Sequence, residues 1–280
     1  MRTVIVGDIG GQYHLFRDVI ESAGGNPDTC VLPSGLLMIQ VGDIVRFNNS
    51  ADLDSLACAE YAQRLLENND GRYIQLLGNH ETPLLGGVTD PKWKLQALPL
   101  CQPIVESWWD QKLARLGVVL RKEGQRDLLI THAGLTRGYR DWLGTVTAVE
   151  TAQKLNSFVG EVSIADIQHP GGLVTGNIDQ AADPCWALIG SEVHDSWKDH
   201  HPNFNQMHGH ATLLDWDTEK YWDDVPEYVK TATTVNLRDR YTTTIYDSGY
   251  TLRSVDWVLK NSYRRQEWPL LFLTGYELIM

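Results

Sequence analysis

Cations are scarce in this chain of 280 residues: 24 Lys and Arg stand against 36 Asp and Glu, a formal charge of -12. No basic stripe interrupts that acidic excess. Binding to a nucleic-acid duplex or to an anionic membrane surface needs clustered cations, so both are set aside as partners. Nor is any apolar run long enough to cross a bilayer. Met1–Val6 leads straight into a polar motif, without the charged segment, apolar stretch and cleavage site of a secretory signal. Cysteine is rare as well. Cys30, Cys58, Cys101 and Cys185 are widely spaced with no CxxC pair, which points to packing residues in a reducing, cytoplasmic setting and not to a disulfide framework. Internal repeats, heptads and low-complexity tracts are missing too.

With 42% hydrophobic residues the chain has material for a substantial core. We read residues 1–280 as a single domain. Val4-Ile5-Val6 is a short apolar run, after which Leu15, Phe16, Val19, Ile20 and Ala23 recur at helical spacing up to Gly24-Gly25-Asn26-Pro27. A second strand is predicted over Leu36–Val41, a helix from about Leu53 to Leu66, and a third strand over Tyr73–Leu77. Helices between apolar strands imply parallel pairing. Further strands are expected at Thr233–Leu237, Thr242–Tyr246 and Thr251–Val258, the last two joined by a turn at Asp247-Ser248-Gly249, forming a second, largely antiparallel sheet. Between them, about 137–205 is rich in turn residues and reads as a cap-like insertion over the cleft.

Polar motifs stand where the strands stop: Gly7-Asp8-Ile9-Gly10-Gly11-Gln12, Gly42-Asp43, Gly78-Asn79-His80-Glu81, Thr131-His132-Ala133-Gly134-Leu135 and His208-Gly209-His210. In open α/β sheets the carboxyl ends of the strands share one crevice, so these groups converge although far apart in sequence. Two carboxylates, a carboxamide and imidazoles make a mixed oxygen and nitrogen donor set, suited to Mn2+, Fe, Zn or a similar divalent ion. Cysteine takes no part. A carboxylate bridging two such ions would create the two-metal device for in-line phosphoryl transfer, and Asp43 is the bridging candidate.

The order and wording of the five motifs resemble the calcineurin-like metallophosphoesterases. Gly7 to Tyr13 is similar to the opening motif of the phosphoprotein phosphatases with only its histidine changed, while Thr131–Leu135 and Gly209-His210 resemble the symmetrical diadenosine tetraphosphatases. The resemblance runs over about residues 3–258. It implies a mixed α/β fold, an αββα sandwich of two mixed sheets flanked by helices. It also implies roles: Asp8 as a ligand of the first metal, Asp43 as the bridge, and Asn79, His132 and His210 as the rest of the second metal's shell. His80 would protonate the leaving oxygen, and Glu81 would support the ligands from behind. Arg46 would bind substrate phosphate.

Two departures qualify what the resemblance implies. Position 10, where the motif carries a histidine ligand, is glycine, and Thr212 stands where a GHxH motif would bring a second imidazole to the first metal. Arg46 falls one place early, in Gly42-Asp43-Ile44-Val45-Arg46-Phe47, and no aspartate follows to orient His80. No second phosphate arginine accompanies Trp186, which leaves Arg137 and Arg140 as substitutes. The expected function is a metal-dependent phosphoesterase acting on a phosphomonoester or a nucleotide polyphosphate by metal-activated hydroxide, with a weakened first site. It would carry one or two divalent ions per chain, Mn2+ foremost and Fe, Zn or Ni next. The alternative is a catalytically impaired relative that binds a phosphorylated ligand or partner. If metal loss limits activity, Gly10→His should raise it.

Overall fold

The computed structural model describes residues 1–46, 52–93, 98–255 and 270–279. The first half alternates as the sequence predicts. Strands β1 (Arg2–Val6), β2 (Leu36–Gln40), β3 (Tyr73–Leu76) and β4 (Ala114–Arg115) lie parallel and in that order. Helices α1 (Tyr13–Ser22), α2 (Asp52–Asn68) and α3 (Leu98–Asp110) connect them and cover one face.

A second sheet collects β5 (Val118–Arg121), β6 (Leu128–Ile130) and β7 (Asn205–His208). After a small hairpin of β8 (Leu214–Asp215) and β9 (Lys220–Tyr221) it adds β10 (Thr233–Asn236), β11 (Tyr241–Ile245) and β12 (Thr251–Ser254). In this sheet, among the described residues, only the pairs β6–β7 and β7–β12 are parallel. The hairpin at Asp247–Gly249 forms as expected, with Ile245 opposite Thr251. The predicted continuation of that strand over residues 256–258 lies outside the described residues.

Two strands were not read from the sequence. β13 (Leu271–Thr274) runs antiparallel beside β1, and β14 (Glu277–Ile279) runs antiparallel beside β5, so one short segment adds an edge to each sheet.

The sheets stack because side chains alternate along each strand. In β1 and β2, Val4, Val6, Leu36 and Met38 face the helices, whereas Ile5, Leu37 and Ile39 face the other sheet. There they meet Val118, Leu120, Leu128, Ile130 and Met207. Val119 and Leu129 point outward, where α5 (Ala148–Asn156) covers β5 and β6. The result is the mixed α/β arrangement of two mixed sheets flanked by helices.

Ahead of α5 lies α4 (Arg137–Leu143), and α6 (Gly171–Thr175) follows it. Next come a π-helical turn at Ile189–His194, then α7 (Asp195–Trp197) and α8 (Glu227–Ala232). Two buried carboxylates hold the 169–195 region together. Asp183 accepts the N–H groups of His169 and Cys185, and Glu192 those of Gly172, Asp179 and Leu188. Burial pushes the Asp183 carboxyl up to about 7. No helix among the described residues is long and apolar enough to cross a membrane.

Candidate metal centre

Every predicted ligand lies just beyond a strand end. Asp8 follows β1, Asp43 follows β2, Asn79 follows β3, His132 follows β6 and His210 follows β7. Two of these positions are strained: Asp43 has φ 55° and His210 has φ 62°. Non-glycine residues seldom occupy that left-handed region, and where they do the surroundings hold them there, often at functional sites.

Buried polar groups do the holding. Glu81 lies beneath the loops, fully buried, and accepts four backbone N–H groups: those of Asp43 and Gly78 on Oε2, and those of Ile44 and Val45 on Oε1. Burial is the larger influence on its carboxyl and raises it, against those four bonds. Gln40, also fully buried, donates to the carbonyls of Gly7 at 3.2 Å and Gly42 at 2.6 Å and accepts the Gly42 N–H at 2.8 Å. The first two ligand loops are thereby tied to one side chain. Gly78 has to be glycine because a β-carbon there would overlap Asp43 Oδ1.

Asp43, His132 and His210 form a cluster whose donor atoms all lie within 4.8 Å of one another. His132 Nδ1 sits 2.8 Å from the Val41 carbonyl, which needs a proton on that nitrogen and leaves Nε2 with a bare lone pair. That Nε2 is 3.1 Å from His210 Nδ1 and 3.4 Å from Asp43 Oδ1. Burial keeps both rings neutral: His210 is held down at about 3, with His208 adding to the effect, and His132 well below its ordinary value.

The carboxamide of Asn79 completes the group. One terminal atom of that amide lies 3.1 Å from both His132 Nε2 and His210 Nδ1. With nitrogen in that place, its possible acceptors are those two rings and both Asp43 oxygens, at 3.0 to 3.1 Å. An NH2 group has two protons, too few for four acceptors. With oxygen there, Asp43, Asn79 and His132 turn lone pairs toward one another, an arrangement that a bound cation, or a proton on His210 Nδ1, reconciles. The donor set therefore fits a divalent ion of the kind that accepts mixed oxygen and nitrogen ligands.

Asp8 is placed differently, because its Oδ1 accepts the backbone N–H of His210 at 3.1 Å. It orients that ligand's strained backbone and is not a member of the cluster. Thr212 is buried and turned into its own loop, its hydroxyl donating to the Leu214 carbonyl and accepting the Leu214 N–H.

His80 lies at the rim, partly exposed. Its N–H donates to Asp43 Oδ1 at 3.0 Å, and its Nε2 is 3.7 Å from Asp43 Oδ2. Burial, then the charges of His210 and Arg46, hold its imidazole down at about 3. Trp93 stacks on it with centroids 4.3 Å apart, and Trp186 stacks on Trp93 at 5.4 Å. The sequence offered no aspartate to orient His80, and an indole packed on its face does so instead. Trp93 belongs to none of the motifs, and no sequence signal marked it. Trp186, from the 137–205 stretch, is fully buried beneath it. Trp142 is 46% exposed and packs beside Tyr139 and His169, away from this stack.

Arg46 is half-buried beside Gly10, its backbone N–H donating to the Ser55 hydroxyl at 3.1 Å. Arg137 and Arg140 are both directed to Asp141, and Arg140 also lies over Trp197.

No curated protein matches the chain. Among solved structures, a mutant cold-active protein tyrosine phosphatase superposes with a TM-score of 0.52 at 14% identity, over 92% of this chain and 71% of that one. The cold-active protein-tyrosine phosphatase of a psychrophile, Shewanella sp., gives 0.47 at 15% identity, over 74% and 65%. The first likeness shows the fold alone. The calcineurin-like phosphoesterase family matches over residues 1–223. Since that match runs through every strand-end motif from Asp8 to His210, the chain belongs to the calcineurin-like phosphoesterases.

Proposed function

We propose that the protein is a metal-dependent phosphoesterase hydrolysing a phosphomonoester or a nucleotide polyphosphate. The observation that carries this reading is the convergence of Asp43, Asn79, His132 and His210 on one point. These four residues would hold a divalent cation, Mn2+ first among the candidates. When bound, such an ion polarises phosphoryl oxygen and lowers the pKa of water.

The chain's own groups do the rest. Asp8 holds the His210 backbone, and Glu81 and Gln40 hold the loops. Arg46 offers a planar fork of donors to phosphate oxygens. His80, fixed by Trp93 at the rim of the cluster, protonates the leaving oxygen. A phosphoryl dianion beside the ring opposes the burial that keeps it neutral, so its proton is taken up as substrate binds. In this reading residues 1–280 act as one domain, in which about 137–205 serves as the cap through Trp186.

The test is phosphate release by Mn2+-loaded protein from nitrophenyl phosphate, bis-nitrophenyl phosphate and dinucleotide polyphosphates. Turnover of any one that is abolished by His80→Asn is the expected result. If none is hydrolysed, the chain is a binding relative that holds a phosphorylated ligand without turning it over.

A further inference from the structure

The first of the two cations implied by the motif pattern does not fit this protein, and we propose that the guanidinium of Arg46 takes its place. The centre would then hold one divalent ion and one fixed organic cation, with the substrate's phosphoryl group between them. This rests on the phosphoesterase reading above and names how that site handles charge.

Of the groups expected around a first cation, two carboxylates, Asp8 and Asp43, are present and both imidazoles are missing. Asp8 Oδ1 also carries the His210 N–H, position 10 has no side chain, and the Thr212 hydroxyl is spent on Leu214. Two carboxylates, one of them already part of the other cluster, hold a second divalent ion only weakly.

The space is also used. The N–H groups of Ile9 and Gly10 both donate to the Asp43 carbonyl, at 3.1 and 2.7 Å, and that of Gly11 donates to the Ile44 carbonyl at 2.7 Å. These bonds lace the residue 8–11 turn to the loop that carries Arg46. From Gly10 a β-carbon would stand 3.9 Å from Arg46 Cδ and would meet nothing else within 4 Å. The arginine stem thus lies within van der Waals reach of the point where a side chain at position 10 would begin. Gly10 has φ +58°, a conformation that a β-carbon strains, so this turn is built for glycine and not merely stripped of histidine.

Arg46 is free to serve as that charge. Among the described residues no carboxylate pairs with it, unlike Arg17, Arg121 and Arg140, which are paired. Its backbone is fixed all the same, because its main-chain N–H donates to Ser55 Oγ and that hydroxyl donates back to its carbonyl. A partly buried arginine on a fixed backbone, with no carboxylate partner among the described residues and beside a cluster fit for a cation, is a ready phosphate clamp.

Elemental analysis of Mn2+-loaded, desalted protein is expected to give one ion per chain. Arg46→Ala should leave that at one while weakening inorganic phosphate, measured by calorimetry on the loaded protein, by tenfold or more, and Arg46→Lys should recover part of the loss. Gly10→His alone should still bind one ion, whereas Gly10→His with Arg46→Ala should approach two. Two ions in the unaltered protein, or in Gly10→His with Arg46 in place, would overturn the substitution of cation by arginine and leave the phosphoesterase reading standing. Unchanged phosphate affinity in Arg46→Ala overturns it as well. No ion at all in the unaltered protein would instead sink the metal centre itself.

Discussion

A single carboxylate, Glu81, gathers four backbone N–H groups from the two loops that present Asp43 and Asn79. Glutamine in its place keeps the shape but has one acceptor oxygen and turns an NH2 toward donors. Glu81→Gln is therefore expected to cost roughly 1–3 kcal/mol of stability by urea denaturation, with a matching loss of cation affinity. His80→Asn is predicted to lower kcat about 10²- to 10⁴-fold while the metal content is unchanged, since the ring touches Asp43 without belonging to the lone-pair cluster. The turns that carry Asp8, Asp43, Asn79 and His210 were legible in the sequence, because a glycine at each strand end announces a sharp turn with a polar residue after it. Trp93 was not, because stacking on His80 depends on where a loop lands and leaves no pattern in the chain. Gln40 was hidden for a related reason: a lone amide at a strand end reads as ordinary strand.

At the scale of elements, Gln40 couples the ends of β1 and β2 beyond their ladder, through the carbonyls of Gly7 and Gly42. Gln40→Leu would leave those buried carbonyls without that donor, and the melting temperature should fall accordingly, with roughly 1–3 kcal/mol lost per orphaned group. The 169–195 region makes a pH-dependent prediction. Burial raises the Asp183 carboxyl from 3.8 to about 7, so the folded protein holds its proton more tightly than the unfolded chain does. The stability it contributes is complete below about pH 4 and is lost as pH climbs through 7. Thermal melts from pH 4 to 8 should therefore show a downward slope that Asp183→Asn flattens; equal slopes would refute the assignment. Strand and helix order in the first half was legible from periodicity. The tail strands were not, being three and four residues long and separated from β12 by residues 255–270.

For the whole molecule, the cluster of Asp43, Asn79, His132 and His210 draws on both sheets, with two ligands after strands of each. A cation bound there bridges the sandwich and favours only the folded state. Mn2+ at a hundredfold excess over its Kd should add about 2.7 kcal/mol, a rise in melting temperature of about 5–10 °C that a chelator reverses. A melting temperature indifferent to both would count against any cation at this place.

The strands β13 and β14 give the molecule a timetable. Thr3 pairs with Leu273 and Val119 with Ile279, contacts that close loops of some 270 and 160 residues. During synthesis, β1 waits with one edge unpaired while nearly all of the chain is made, and that edge reads Thr3-Val4-Ile5-Val6, an apolar template for any passing strand. That edge of the nascent protein is thus open to mispairing until β13 arrives to cover it.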